Sequence, residues 1–153
     1  MSQAASDKTT RVKADRIAFV AANFDVAQDA LRHLTGMYDT VAPEDADVVV
    51  ALGGDGFMLQ TLHETEHLSA PVYGMNRGTI GFLMNAYSES ELPKRLAAAE
   101  LAEVNPLSMT AYLADGSERR ALAINEVSLL RSGPQAAKLK IAIDGRLRMA
   151  ELV

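Results

Sequence analysis

A chain of 153 residues, 48% hydrophobic and 23% charged with mean hydropathy near zero, carries apolar material for one domain with a real core and part of a second. Its net charge of -5 argues against a nucleic-acid-coating surface, and the mild basic groupings Arg119-Arg120, Lys138/Lys140 and Arg146/Arg148 read as solvated strand faces. The lack of cysteine excludes disulfides, zinc ribbons and thiol catalysis, and no run approaches the roughly 18 apolar residues of a membrane span.

Residues 1–15 are polar, lack the apolar run of a signal peptide and read as a flexible tail on a cytoplasmic chain. From Arg16 the texture alternates short apolar runs with helical stretches, which predicts βαβ units and a parallel sheet over 16–104. Ile17 to Ala22 predicts a strand buried on both faces. Asn23 or Asp25 is then placed to cap a helix over Val26, Ala30, Leu31 and Leu34 that stops at Gly36. Asp47 to Leu52 predicts a second buried strand, followed by Gly53-Gly54-Asp55-Gly56 and a helix through Met58, Leu59, Leu62 and His63. Pro71 to Asn76 predicts a third strand that ends in the loop Arg77-Gly78-Thr79-Ile80-Gly81-Phe82. Ser88 to Glu100 reads as a further helix with an acidic, cap-rich first turn.

After Asn105-Pro106 the period changes. Leu107, Met109, Ala111 and Leu113 alternate, and Asp115-Gly116 turns the chain into Arg119 to Ile124. Asp144-Gly145 separates a second pair of strands, Leu139 to Ile143 and the run through Leu147 and Met149. Residues 105–153 therefore read as the start of a β-rich antiparallel domain. The strand pattern continues to Val153, which leads us to expect an incomplete second domain and a fragment.

Three groupings carry chemistry. In Gly53-Gly54-Asp55-Gly56, a buried strand ends in glycines that open onto a helix, exposing backbone N–H groups at the positive end of the helix dipole. A carboxylate repels phosphate, so Asp55 makes sense opposite a hydroxyl that is to be phosphorylated, aligning it and taking its proton. The plainer alternative is that Asp55 caps the helix. In the loop from Asn76 to Phe82, Asn76 offers a donor and an acceptor, and Phe82 offers a face for an aromatic ligand or a plug for the core. Asn125-Glu126, at the exit of an apolar strand, has the groups to clasp a ribose diol or simply to form a turn. His63 and His67 stand four residues apart on a helical stretch, without a third ligand or an HExxH pattern.

Taken jointly, GGDG after a buried strand, then N-x-G-x-x-G-F, then N-E, resembles the NAD kinase family in order and approximate spacing, from Arg16 to the end of the chain. The resemblance implies a Rossmann-like α/β domain followed by a β-rich domain, with NAD bound between them. It implies that Asp55 activates the 2′-hydroxyl of the adenosine ribose and that Gly56 contacts the dinucleotide through its backbone. Asn76, Asn125 and Glu126 would hold NAD by polar contacts, Phe82 would line the nucleoside pocket, and Gly53 and Gly54 would serve the phosphate donor. The family uses ATP or polyphosphate with a divalent cation such as magnesium, and commonly assembles as homo-oligomers; no nucleic acid or membrane partner is expected. Two departures stand out. The family's Thr/Ser-rich G-S-T-A-Y loop is not within these residues, from which we expect weak NAD binding and poor turnover by this piece alone. Gln60 stands where many members carry a basic residue.

Rival readings are a lipid or sugar-phosphate kinase, in which GGDG also occurs, and a nucleotide sensor without phosphoryl transfer. The Asn76–Phe82 loop and Asn125-Glu126 weigh against the first, and Asp55 weighs against the second. No strand is followed by the spaced G-x-G-x-x-G of a dinucleotide-dependent dehydrogenase.

Overall fold

The computed structural model describes residues 15–79 and 81–153. The tail expected over 1–15 lies, except for Asp15, outside the described residues. Two compact units divide between Val104 and Asn105.

The first unit is built on a parallel sheet of three strands in the order β1-β2-β3, with β1 at Ile17–Ala21, β2 at Val48–Gly53 and β3 at Val72–Asn76. Every residue of β2 is buried, as a central Val/Leu-rich strand requires. Of the run Ile17 to Ala22, expected to be buried on both faces, Ile17, Ala18 and Ala22 are buried. Phe19 to Ala21 are half-buried on this strand, which pairs along its length with β2 and meets the Thr40–Val41 segment only at Ile17 among the described residues. Arg16 and Asp47 join the starts of β1 and β2 through a guanidinium–carboxylate pair at 2.9 Å and a backbone bond of 2.8 Å.

Helix α1 runs Asp25–Met37 and buries Ala27, Ala30 and Leu34. Neither polar residue flanking Phe24 caps it. Phe24 itself is the N-cap residue and makes no side-chain cap bond, while Gln28 reaches back to the carbonyls of Ala21 and Ala22. Gly36 does not stop the helix, which continues one residue further, to Met37. Helix α2 covers Asp55–Glu64, and Thr61 is its buried residue, satisfied by the Phe57 carbonyl at 2.9 Å. Gly74 in β3 leaves room for two thioethers. A Cβ there would lie 3.1 Å from the Met58 sulfur of α2 and closer still to the sulfur of Met84.

The helix expected over Ser88–Glu100 is much shorter. Only Leu92–Ala97 is helical (α3), with Pro93 in its first turn and Glu91 in the left-handed region at φ 53°. The segment before it serves tertiary contacts instead. Tyr38 donates to the Glu89 carbonyl at 2.6 Å, and Arg95 donates to the carbonyls of Ser88 and Ala86 at 2.9 and 2.6 Å. Leu92 and Leu96 join Ile17, Leu34, Val48, Val50, Leu52 and Met75 in the core.

The second unit comprises two antiparallel hairpins. Strands β4 (Leu107–Tyr112) and β5 (Glu118–Ala123) pair around Asp115-Gly116, and β6 (Leu139–Ile143) and β7 (Arg146–Leu152) pair around Asp144-Gly145. Asp144 and Gly145 both have positive φ, 50° and 73°, the conformation of a type I′ turn and the reason for an Asp-Gly pair. The chain thus combines a Rossmann-like parallel α/β unit with antiparallel sheet. Arg120 pairs with Glu118 within β5, and Lys138, just before β6, pairs with Glu151 of β7, so these basic residues sit in local ion pairs on the exposed hairpins.

Candidate active site

The three strands of the parallel sheet end together at Ala21, Gly53 and Asn76, as their register requires. Outside such carboxyl ends, open α/β sheets bind their ligands. At that rim the GGDG segment and the loop after β3 are stitched to each other. The Arg77 amide donates to the Gly53 carbonyl at 2.7 Å, and Gly78 packs against the Gly54 backbone. Asn76 turns its Oδ1 onto the Gly78 amide at 2.8 Å, so this side chain organises its own loop. The loop closes where it began, with the Asn76 amide on the Asn85 carbonyl at 2.8 Å and the Asn85 amide on the Gly74 carbonyl at 2.9 Å.

Asp55 is the first residue of α2 and makes no helix-capping bond; Gly54 is the N-cap residue. Its carboxylate instead accepts two backbone N–H groups from across the rim, Phe82 on Oδ2 at 2.8 Å and Leu83 on Oδ1 at 3.0 Å. These bonds tie the carboxylate to the loop after β3 and not to the first turn of its own helix. A carboxylate has about four lone-pair positions, so two remain to accept a hydroxyl.

The glycines divide by cause. A Cβ on Gly53 would lie 2.7 Å from the Phe57 Cβ, so the packing of α2 against β2 requires glycine there. A Cβ on Gly54 or Gly56 would meet nothing within 4 Å, and neither has a positive φ. Neither local packing nor backbone conformation calls for glycine at 54 and 56, and open space lies beside their backbone.

Phe82 is 91% exposed, which corrects the alternative of a core plug. Asn125 and Glu126 follow β5 in an exposed bend of the second unit. Gln60 is exposed on α2 and donates to Glu64 at 2.8 Å. Among the described residues no group of three or more His, Asp or Glu side chains is placed to hold a metal, His63 and His67 included. No helix among them is long and apolar enough to cross a membrane.

Sequence reasoning missed a cluster beside the rim. The Arg77 guanidinium lies 4.0 Å from the centroid of the Tyr87 ring and donates to the Val26 carbonyl at 3.3 Å. Tyr87 donates to Glu89 Oε1 at 2.8 Å, and the same oxygen faces His33 Nδ1 at 3.1 Å. Burial, then the bond to Glu89, pushes the Tyr87 phenol up to about 12. The Glu89 carboxyl is held below its ordinary value by the bond from Tyr87 and next by that with His33. An aromatic residue ten positions after a loop arginine is no recognisable sequence signal.

A parallel sheet with a glycine-bearing strand end, a helix opening on a carboxylate and a return loop is the arrangement of a Rossmann-like α/β domain. The family model described as the ATP-NAD kinase N-terminal domain matches residues 2–103, and the chain belongs to that family. It is 61% identical to an NAD kinase of Cereibacter sphaeroides over 138 residues, 90% of this chain and 54% of the relative. Against an NAD kinase of Caulobacter vibrioides the identity is 56%, over 90% of this chain and 53% of the relative. For one of Rhizobium meliloti the values are 49%, 92% and 54%. The chain spans about half the length of the curated relatives it matches.

Proposed function

We propose that these residues carry the catalytic carboxylate of an NAD kinase, which moves a phosphoryl group from ATP or another polyphosphate donor to the 2′-hydroxyl of the adenosine ribose of NAD. The observation that carries this reading is Asp55. It opens α2 beside glycines with open space next to them, yet its carboxylate is fixed by the Phe82 and Leu83 amides rather than spent on the helix. A ribose hydroxyl donating to a remaining lone pair is aligned for attack. As the new O–P bond forms, Asp55 takes the hydroxyl proton, and the bond from the transferred phosphorus to the donor's bridging oxygen breaks.

The backbone N–H groups at 54 and 56 offer donors to phosphate oxygens at the positive end of α2. Gly53 enters this reading by letting α2 start close to β2. Phe82 supplies an exposed aromatic face for the nucleoside, Asn76 keeps the loop in shape, and Asn125 and Glu126 add polar contacts to the dinucleotide. Among the described residues no three His, Asp or Glu side chains are grouped to hold a metal by themselves. A divalent cation such as magnesium enters this reading with the donor, carried chiefly by its phosphate oxygens. A cytoplasmic homo-oligomer is the form expected of the whole enzyme.

The test is NADP formation by the full-length protein given NAD, ATP and magnesium. Asp55→Asn should lower kcat by about 10²–10⁴-fold. An asparagine side chain has one oxygen, so this variant also gives up one of the two loop amides. Asp55→Asn with nearly full turnover refutes the general-base assignment. A wild-type protein that binds NAD and forms no NADP supports a sensor in place of a kinase.

A further inference from the structure

We propose that Arg77 is a positioning residue for the active-site loop, clamped onto Tyr87 and α1, and not a cation for the phosphate donor. The inference rests on the kinase reading for its kinetic test, while its structural test stands without it.

An arginine on a loop beside a phosphate site invites the electrostatic role. The geometry gives its charge other partners. The guanidinium stacks over the Tyr87 ring at 4.0 Å, and its Nε–H is directed at the Val26 carbonyl in the first turn of α1. A planar guanidinium can do both at once, because its face stacks while its edge donates.

The platform under it is fixed from several sides. Tyr87 packs against the core cluster and is tied by its hydroxyl to Glu89. Glu89 is in turn held by Tyr38 on its carbonyl and by His33 beside its carboxylate, both from α1 or its end. Arg95 grips the chain on either side of Tyr87 through the carbonyls of Ala86 and Ser88. Contacts therefore run from α1 through Glu89, Tyr87 and Arg77 back to α1 at Val26. Arg77 is the one member of this ring that belongs to the loop after β3. Its own amide is bonded to Gly53, and five residues on the loop delivers the Phe82 amide to Asp55. Fixing Arg77 thus fixes the near limb of the segment whose far limb holds the carboxylate. Displacements of about 1 Å at a reacting group cost on the order of a hundredfold in rate.

The test compares Arg77→Met, Arg77→Lys and Tyr87→Leu in the full-length protein. Positioning predicts that each lowers kcat about tenfold or more while KM for ATP stays within about twofold. Arg77→Lys falls with Arg77→Met, because an ammonium keeps the charge and loses the stacked fork. Arg77→Met combined with Tyr87→Leu is no worse than the poorer single variant, since both break one link. Amide exchange supplies a readout independent of turnover: Phe82 and Leu83 lose protection about tenfold in each variant. If KM for ATP rises with kcat kept, and Arg77→Lys restores it, Arg77 is a donor-binding cation and the proposal is wrong. Unchanged exchange at Phe82 and Leu83 also overturns it. Absence of NADP from the wild type refutes the kinase reading alone and leaves the exchange comparison to decide the role of Arg77.

Discussion

Asp55 shows how far a residue can be read from its neighbours in sequence. A carboxylate among glycines, at a strand-to-helix junction, already pointed away from a pure phosphate cradle. What holds it did not show, because both partners are backbone amides 27 and 28 positions away, and any residue type supplies an amide. The same holds for Phe82, whose exposure depends on where the loop is tied and not on its being aromatic. Glu89 carries a prediction at this scale. Its carboxyl is lowered in the fold by Tyr87 and His33, so the folded state binds fewer protons there than the unfolded chain around the usual value of 4.5. That stabilisation is present above the ordinary carboxylate range and is lost as pH falls through the folded value. Denaturant unfolding of wild type and Glu89→Gln should therefore differ at pH 7 and converge in acid. A gap independent of pH would show that the carboxylate's charge is not what matters. Tyr87 acts in the opposite direction: its phenol is raised to about 12, so its share is complete below pH 10 and lost as pH climbs past that toward 12.

Elements were legible where the hydrophobic period was strong. All three parallel strands and both hairpins lie where apolar runs and Asp-Gly pairs put them. Ends and short helices were less so. Leu31 and Leu34 predicted α1, but the residues around Phe24 gave a false cap, because Gln28 does the work of tying the helix start to β1. The Ser/Glu run at 88–91 looked like the first turn of a helix and is a bend and turn leading into α3, where Tyr38, Tyr87 and Arg95 bond its polar groups. The entry to α2 yields a contrast between adjacent glycines. Gly53→Ala presses a methyl onto Phe57 and should cost about 1–3 kcal/mol in unfolding free energy. Gly56→Ala lies within a helix with open space around it and should add up to about 1 kcal/mol. Its added methyl nonetheless occupies the space proposed for ligand, so KM for NAD should rise while the protein becomes more heat-resistant. Calorimetry and initial rates on the two variants check this. A Gly56→Ala enzyme with unchanged KM would mean that nothing approaches that backbone.

Among the described residues, burial is concentrated in the first unit. Val48 to Leu52 are buried throughout, whereas Leu139, Ile141, Ile143, Leu147 and Met149 all have substantial exposure in the β6–β7 hairpin. Two-stranded ribbons are marginal by themselves. In the 153-residue chain, amides of β2 should be the last to exchange with solvent and those of β6 and β7 among the first. Equal protection in both would contradict that division. The family was legible at this scale only from three short motifs taken together, since each alone has a plainer meaning. The contacts of Arg77 with Tyr87 and Val26 have no sequence signature, because they are a product of tertiary packing.

Gly74 has a consequence of another kind. A chain without thiols has no cysteine to oxidise, but two methionine sulfurs converge on this glycine, one from α2 and one from the segment that follows Leu83. Conversion of either thioether to a sulfoxide puts a polar oxygen between sheet and helix, at the base of the loop that holds Asp55. Peroxide treatment should therefore lower the melting temperature. Replacing Met58 and Met84 together by leucine should remove most of that loss, and methionine sulfoxide reductase should restore the treated wild type. A doubly substituted protein that remained as sensitive would locate the damage at another methionine. The absence of cysteine thus leaves a redox liability in place and moves it to the underside of the proposed active site.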